Sequence, residues 1–165
     1  MQPSSDHEPA VQALMRASRA LVGLTVRALA DVEADVTIPQ FRALVVLSTH
    51  GGSMRGADIA EELNVNPSTG TRMTDRLVGK GLVRRVRSTD DRRVVQLRLT
   101  AAGREIVEKI MARRRTELER IVAETAPVWQ PAVTDALTAF ALAAGEMPEQ
   151  EWWMGWSRQT ADLQD

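Results

Sequence analysis

A mainly α-helical chain carrying one small β-hairpin is predicted from three observations. Apolar residues recur at helical spacing in four stretches between residues 9 and 79 and in two more between 101 and 145. The period shifts from 3.6 to 2 between residues 82 and 99, and helix-start and helix-stop residues punctuate the boundaries. The 165 residues, 44% hydrophobic and 26% charged, suit one globular domain with its own core, and ten glycines and seven prolines are too few for a fibrous or disordered chain.

The first helix is expected over residues 9 to about 36, where Val11, Leu14, Met15, Leu21, Val22, Leu29 and Val32 describe one face. A stripe this long exceeds what a small domain covers by itself, so part of it is expected to face another helix or another subunit, with Gly23 allowing close packing. Thr37-Ile38-Pro39-Gln40 starts the second helix: Thr37 is the N-cap, Gln40 completes a capping box, and Pro39 is tolerated in the first turn. Phe41, Leu44, Val45 and Leu47 continue it to His50-Gly51-Gly52, where glycine supplies the left-handed geometry that ends a helix. Residues 57–63 form a short helix with Ile59, Ala60 and Leu63 inward, and Asn64-Val65 turns the chain. Asn66 then caps, and Pro67 opens, a helix over 67–79 that Gly79 and Gly81 terminate. Met73 and Leu77 lie on its inner face, whereas Ser68, Thr71, Arg72, Asp75 and Arg76 lie largely elsewhere.

After Gly81, Leu82, Arg84 and Val86 alternate with Val83, Arg85 and Arg87, and Val95, Leu97 and Leu99 alternate with Gln96 and Arg98. These are two strands, and the polar connection 88–93, too long for a tight turn, projects as a wing. Thr100 caps a second long helix to about Glu124, with Ile106, Val107, Ile110, Met111, Leu118 and Ile121 inward. Pro127 and Pro131 bracket the start of a last helix through Val133, Leu137, Phe140 and Leu142, ending near Gly145. The remainder loses periodicity but holds Trp152, Trp153 and Trp156, for which docking of the terminus is the simplest reading. Short helix, turn, polar-faced helix and hairpin, in that order, is the layout of a winged helix-turn-helix, here a two-stranded β-hairpin wing flanked by long terminal dimerisation helices.

The formal net charge of −1 hides a segregation. Residues 1–67 carry a net −3, residues 68–99 a net +6 from nine basic and three acidic side chains, and residues 100–165 a net −4. Arg72, Arg76, Lys80, Arg84, Arg85, Arg87, Arg92, Arg93 and Arg98 thus form one positive block, the footprint expected for a polyanion; a solvated, salt-bridged face is the alternative. Other function classes recede. No cysteine is present, which removes disulfides, thiolate metal sites, cysteine nucleophiles and thiol redox sensing. Two histidines, no phosphate-binding glycine loop and no carboxylate pair beside a base argue against an enzyme, a metal site or a cofactor; Glu105 and Glu108 read as ion-pair partners of neighbouring arginines. No apolar window approaches membrane-spanning length and no leader pattern opens the chain, so a cytoplasmic location is expected.

The chain resembles the MarR family of bacterial transcriptional regulators in a set of motifs whose order and spacing carry the likeness. They are Pro39-Gln40-Phe41, Asp58-Ile59-Ala60, Lys80-Gly81-Leu82-Val83, Asp91-Arg92-Arg93 and Leu99-Thr100-Ala101-Ala102-Gly103. The resemblance implies a homodimer on a pseudo-palindromic double-stranded operator, usually a repressor, released by a small aromatic or anionic compound. It implies that Asp91 in the wing orients Arg93 into the minor groove; a pair that merely holds the hairpin together is the alternative. A ligand pocket where the dimer helices meet the DNA-binding lobe would draw on Met15, Arg16, Arg19, His50 and Met111, although His50 is more simply a cap on a helix C-terminus. Gly70 departs from the apolar residue that the family usually places inside the recognition helix.

On this reading residues 1–36 are tail and dimerisation helix, 37–100 the DNA-binding lobe, 101–145 further dimerisation helices and 146–165 a Trp-rich tail, all in one intertwined domain. Ser68, Thr69, Thr71 and Arg72 are candidates to reach base edges in the major groove, with a phosphate contact equally open to Arg72. Arg76 is a phosphate or intramolecular partner, Arg92 and Arg93 add wing charge, and Asp75 must be paired internally if its face is to meet phosphate. Val11, Leu14 and Leu21, with Val133, Leu137 and Phe140, are the candidate dimer surfaces, packing within one protomer being the alternative. The rival function is a winged helix that binds a protein partner without specific DNA recognition.

Overall fold

In a computed structural model that describes residues 7–32, 35–87 and 94–146, these residues form six α-helices and a three-stranded antiparallel sheet. The order is α1 (Glu8–Asp31), α2 (Ile38–Thr49), β1 (Ser53–Arg55), α3 (Gly56–Glu62), α4 (Pro67–Gly79), β2 (Val83–Arg87), β3 (Val95–Leu99), α5 (Ala101–Glu124) and α6 (Pro131–Ala143), with a 3-10 turn over Ala126–Val128. Three helix starts are fixed by side chains that satisfy otherwise unpaired amides. Thr37 Oγ1 accepts from the Gln40 amide at 3.4 Å while Gln40 Oε1 accepts from the Thr37 amide at 3.1 Å. Asn66 Oδ1 accepts from Thr69 at 2.8 Å, and Thr100 Oγ1 accepts from Gly103 at 3.1 Å. Each such cap contributes roughly 1 kcal/mol. Gly51 and Gly52 follow α2 at φ +71° and +73°, a conformation that lets the Gly52 amide return to the Leu47 carbonyl at 2.8 Å.

The core is centred on the winged lobe. Leu44 and Leu47 of α2, Ile59 of α3, Leu77 of α4, Val83 of β2, Leu99 of β3, and Val107 and Ile110 of α5 are all almost fully buried. The sheet runs β1-β3-β2, with Val83 opposite Leu99 and Arg85 opposite Leu97. Val83, Leu97 and Leu99 turn one face to the helices, and Ser53, Arg84 and Arg98 share the opposite face.

Two expectations need correction. The sheet has a third strand, β1, whose three residues are too few to show a period and exist as a strand only because β3 pairs with them. The first helix ends at Asp31 rather than near residue 36: Thr37 must be extended to serve as N-cap, and Val36, also outside any helix, turns into the core at 8% exposure.

Two glycines set how closely elements approach. A Cβ on Gly70 would lie 2.6 Å from Ala60 Cβ, so the absence of an apolar side chain at this position of α4 is what lets α3 and α4 touch. A Cβ on Gly103 would lie 2.1 Å from the Leu82 carbonyl, the group that accepts the Thr100 amide at 3.1 Å. Gly23 has no such role within the protomer, because a Cβ there meets only Arg27 Nη1 at 3.5 Å.

The flanking helices are covered very unevenly. In α1 only Leu24, Ala28 and Leu29, all in its C-terminal part, are buried, while Val11 and Met15 are about half exposed at 48% and 53%. No residue of α6 is buried. Trp152, Trp153 and Trp156 lie outside the described residues, as do Asp91, Arg92 and Arg93.

Candidate nucleic-acid interface

The α4 sequence divides by period into an inner and an outer face. Gly70, Met73, Thr74 and Leu77 are buried, and Thr74 enters the core without a stranded hydroxyl because it donates to the Gly70 carbonyl at 3.0 Å. Ser68, Thr71, Arg72, Asp75 and Arg76 are exposed, with Thr69 half-buried beside them. Two of the hydroxyls are tied to their own helix: Ser68 donates to Asn66 Oδ1 at 2.8 Å and Thr71 to the Pro67 carbonyl at 2.9 Å. Both retain lone pairs facing solvent, so each still accepts from a ligand.

Arg72 and Arg76 stand at one side of a cleft of about 260 Å³ between α4 and the start of α2. Thr37, Pro39 and Gln40 form the opposite wall, and Thr69 and Met73 complete it. Gln40 is 4% exposed and engaged in the capping box, so the wall it forms is rigid. Among the described residues neither arginine has a carboxylate partner.

Asp75 is held as the charge argument requires: its Oδ1 accepts from Arg85 Nη2, ten residues away on β2. The pair ties the recognition-helix candidate to the wing strand and removes a bare carboxylate from a face otherwise positive. Lys80, just past α4, donates to the Asp35 carbonyl and lies 3.0 Å from Asp35 Oδ2, so the end of α4 is anchored to the α1–α2 connection. At the start of α3, Arg55 makes a two-pronged contact with Asp58 at 2.8 and 3.0 Å. Hydrogen bonding to Arg55, with a smaller direct charge effect, holds the Asp58 carboxyl below its usual range and raises the Arg55 guanidinium. Neither Asp75–Arg85 nor Lys80–Asp35 is evident from the sequence, because each joins separate elements and residue spacing carries no signal for it. On α5, Glu105 pairs with Lys109 at 2.6 Å rather than with an arginine.

The candidate dimer residues are not used up within the protomer. Val11, Leu21, Leu137 and Phe140 are exposed, Phe140 by 52%, and Leu14 and Val133 are half-buried. The candidate ligand residues are less coherent. Met15, Arg16 and Arg19 are exposed on α1, and none of them, nor His50 or Met111, lines the α2–α4 cleft. Half-buried Met111 accepts from Arg114 at 3.6 Å. His50 Nδ1 lies 3.0 Å from the Val46 carbonyl, the geometry of a cap at the end of α2.

Comparison with known proteins meets this geometry at the same residues. Residues 36–95, from the end of the α1–α2 connection to β3, match the MarR family. The chain is 32% identical over 124 residues to the HTH-type transcriptional regulator YfiV of Bacillus subtilis, covering 73% of this chain and 77% of that one. It is 41% identical over 85 residues to the HTH-type transcriptional repressor MdtR of the same organism, covering 52% of this chain and 54% of MdtR. Among solved structures, RV1404 from Mycobacterium tuberculosis superposes with a TM-score of 0.80 at 42% identity, over 90% of this chain and 99% of that one. NadR, solved in complex with 4-hydroxyphenylacetate, superposes with a TM-score of 0.60 at 25% identity, over 86% and 98%. Among the described residues no helix is long and apolar enough to cross a membrane.

Proposed function

The chain belongs to the MarR family of transcriptional regulators, and on that premise we propose that it is a homodimer that binds a pseudo-palindromic double-stranded operator and represses transcription until a small aromatic or anionic ligand releases it. The observation that carries this reading is the outer face of α4, on which hydroxyls and two arginines with no carboxylate partner among the described residues lie beside the α2–α4 cleft, while the acid of that face is neutralised by Arg85. A helix of this kind fits the major groove. Ser68, Thr69 and Thr71 reach base edges, Arg76 takes a backbone phosphate at the cleft, and Arg72 contacts either guanine or phosphate. Arg92 and Arg93, the latter oriented by Asp91, carry the wing into the minor groove.

Two such helices serve one operator only when spaced about one helical turn apart, roughly 34–36 Å. Pairing of the exposed stripes on α1 and α6 supplies that spacing and covers apolar surface that one protomer leaves open. The names of two relatives support the finer parts: MdtR is a repressor, and NadR has been solved with an aromatic carboxylate.

The test is binding to a labelled pool of duplexes, including DNA from beside the coding region, over a salt series with the mass of the complex recorded. A dimer that selects a near-palindrome, with affinity falling at a log-log slope near −0.9 per phosphate neutralised, is expected. A protein that stays monomeric, or that prefers no duplex at any salt, overturns the proposal and directs attention to a protein partner of the basic face. The effector is sought by adding aromatic carboxylates to the selected complex and measuring release.

A further inference from the structure

The face of the sheet turned away from the helices gathers positive charge. In the antiparallel register Arg84 of β2 stands directly opposite Arg98 of β3, and Ser53 of β1 lies on the far side of Arg98. Side chains opposite each other on one face of a sheet are about 4.5–5.5 Å apart at Cβ, and like charges so placed are destabilising. Arg104, in the first turns of α5, adds a third guanidinium: it donates to the Leu99 carbonyl at 3.3 Å, next to Arg98, and is half-buried. A cation in that position also meets the positive end of the α5 dipole. Burial first, and then Arg98 and Arg84, depress the Arg104 pKa, with Glu108 as the opposing charge. Among the described residues no carboxylate forms an ion pair with Arg84, Arg98 or Arg104. The neighbouring basic residues differ: Arg85 on the opposite face is paired with Asp75, and Arg55 with Asp58.

We propose that Arg84, Arg98 and Arg104 form a seat for a phosphate-type oxyanion on the outer face of the sheet, separate from the α4 interface. Guanidiniums present planar donor pairs that match the oxygens of such an anion, and a bound dianion turns the repulsion among the three into attraction. The group comes either from a free phosphate-bearing or carboxylate-bearing molecule or from the backbone of DNA passing the wing; the chemistry of the seat is the same for both.

Inorganic phosphate titrated into the full-length protein, at an ionic strength held constant with chloride, tests the seat without relying on DNA binding. A saturable shift of the Arg84, Arg98 and Arg104 Nε–H resonances is expected, at least tenfold weaker in Arg84→Gln. Arg84→Glu is expected to raise the Tm in chloride, since it replaces repulsion across the strands with attraction, and to abolish the phosphate response. A second arm identifies the source by comparing the salt dependence of duplex binding in the wild type and in Arg84→Gln/Arg98→Gln. A slope shallower by about 0.9 for each phosphate that the variant no longer neutralises assigns the seat to DNA. An unchanged slope with saturable phosphate binding assigns it to a free oxyanion. If phosphate produces no saturable shift and the slope is also unchanged, the proposal is wrong.

Discussion

Replacing Gly70 by alanine pits two effects of known sign against each other. Alanine in place of glycine inside a helix ordinarily stabilises by up to about 1 kcal/mol, since less backbone freedom is lost on folding. At Gly70 the added Cβ would sit 2.6 Å from Ala60 Cβ and 3.4 Å from Ala60 Cα. Carbon atoms pack at about 3.5–4.0 Å, so α3 and α4 must part by about 1 Å. Ala60 is 2% exposed and its Cβ is fixed to the backbone, so no rotamer change relieves the contact. Overpacking of this kind costs about 1–3 kcal/mol, and with no side-chain escape the upper half of that range applies. The net expectation is a loss of about 1–2 kcal/mol. Urea unfolding at one fixed protein concentration measures it, fixed because dimer formation makes stability concentration-dependent. Gly79→Ala, at the end of the same helix where a Cβ meets nothing within 4 Å, is the internal control and is expected to be neutral or stabilising. Gly70→Ala combined with Ala60→Gly is expected to recover part of the loss, which a double-mutant cycle reports as coupling. A Gly70→Ala protein as stable as the wild type would refute the close-packing account of this glycine.

Gly103→Ala is expected to be worse than Gly70→Ala in the same urea assay, because its Cβ would strike the Leu82 carbonyl, a backbone group already bonded to Thr100. The Asp58 carboxyl binds a proton more weakly in the folded protein than in the unfolded chain, so its contribution is present above about pH 4 and is lost as the pH falls through its lowered folded value. Asp58→Asn is therefore expected to flatten the decline of the urea midpoint between about pH 5 and pH 3. Arg85→Ala uncovers Asp75 on the interface and is expected to weaken duplex binding about tenfold, with Arg85→Ala/Asp75→Ala recovering most of it; an equal loss in both variants would mean that Arg85 acts through its own charge rather than by neutralising Asp75.

What was legible in the sequence is what local chemistry decides. Thr37, Asn66 and Thr100 fix helix starts through contacts three residues away, and the starts of α2, α4 and α5 fall where those residues predict. β1 and the end of α1 are settled by tertiary partners, β3 in one case and the core around Val36 in the other, and neither leaves a period to read. The interface divides the same way. Arg72 and Arg76 are recognisable as outer residues of α4 from spacing alone, but the cleft they share with Thr37 and Gln40 depends on the relative pose of two helices about thirty residues apart. Gly70 is conspicuous in the sequence, yet its reason, Ala60, is visible only once α3 and α4 are packed.

The pairing of the positive segment separates charge that serves the fold from charge that does not. Lys80 and Arg85 are both engaged, one holding Asp35 and the other Asp75, and each engagement joins two elements. Arg72, Arg76, Arg84, Arg87 and Arg98 make no such contact among the described residues. Exposed ion pairs contribute only about 0–1 kcal/mol apiece, so even the engaged residues explain little of the stability, and the others explain none of it. A solvated, salt-bridged face thus accounts for part of the block and leaves these five arginines over. Their mutual repulsion is a cost in the isolated protein that an anionic partner reverses. On that argument, raising salt from low to moderate concentration is expected to stabilise the isolated protein slightly, by screening like charges, while weakening its complex with DNA steeply. A stability that falls with salt over the same range would show that the ion pairs, not the unpaired arginines, dominate the electrostatics of this surface.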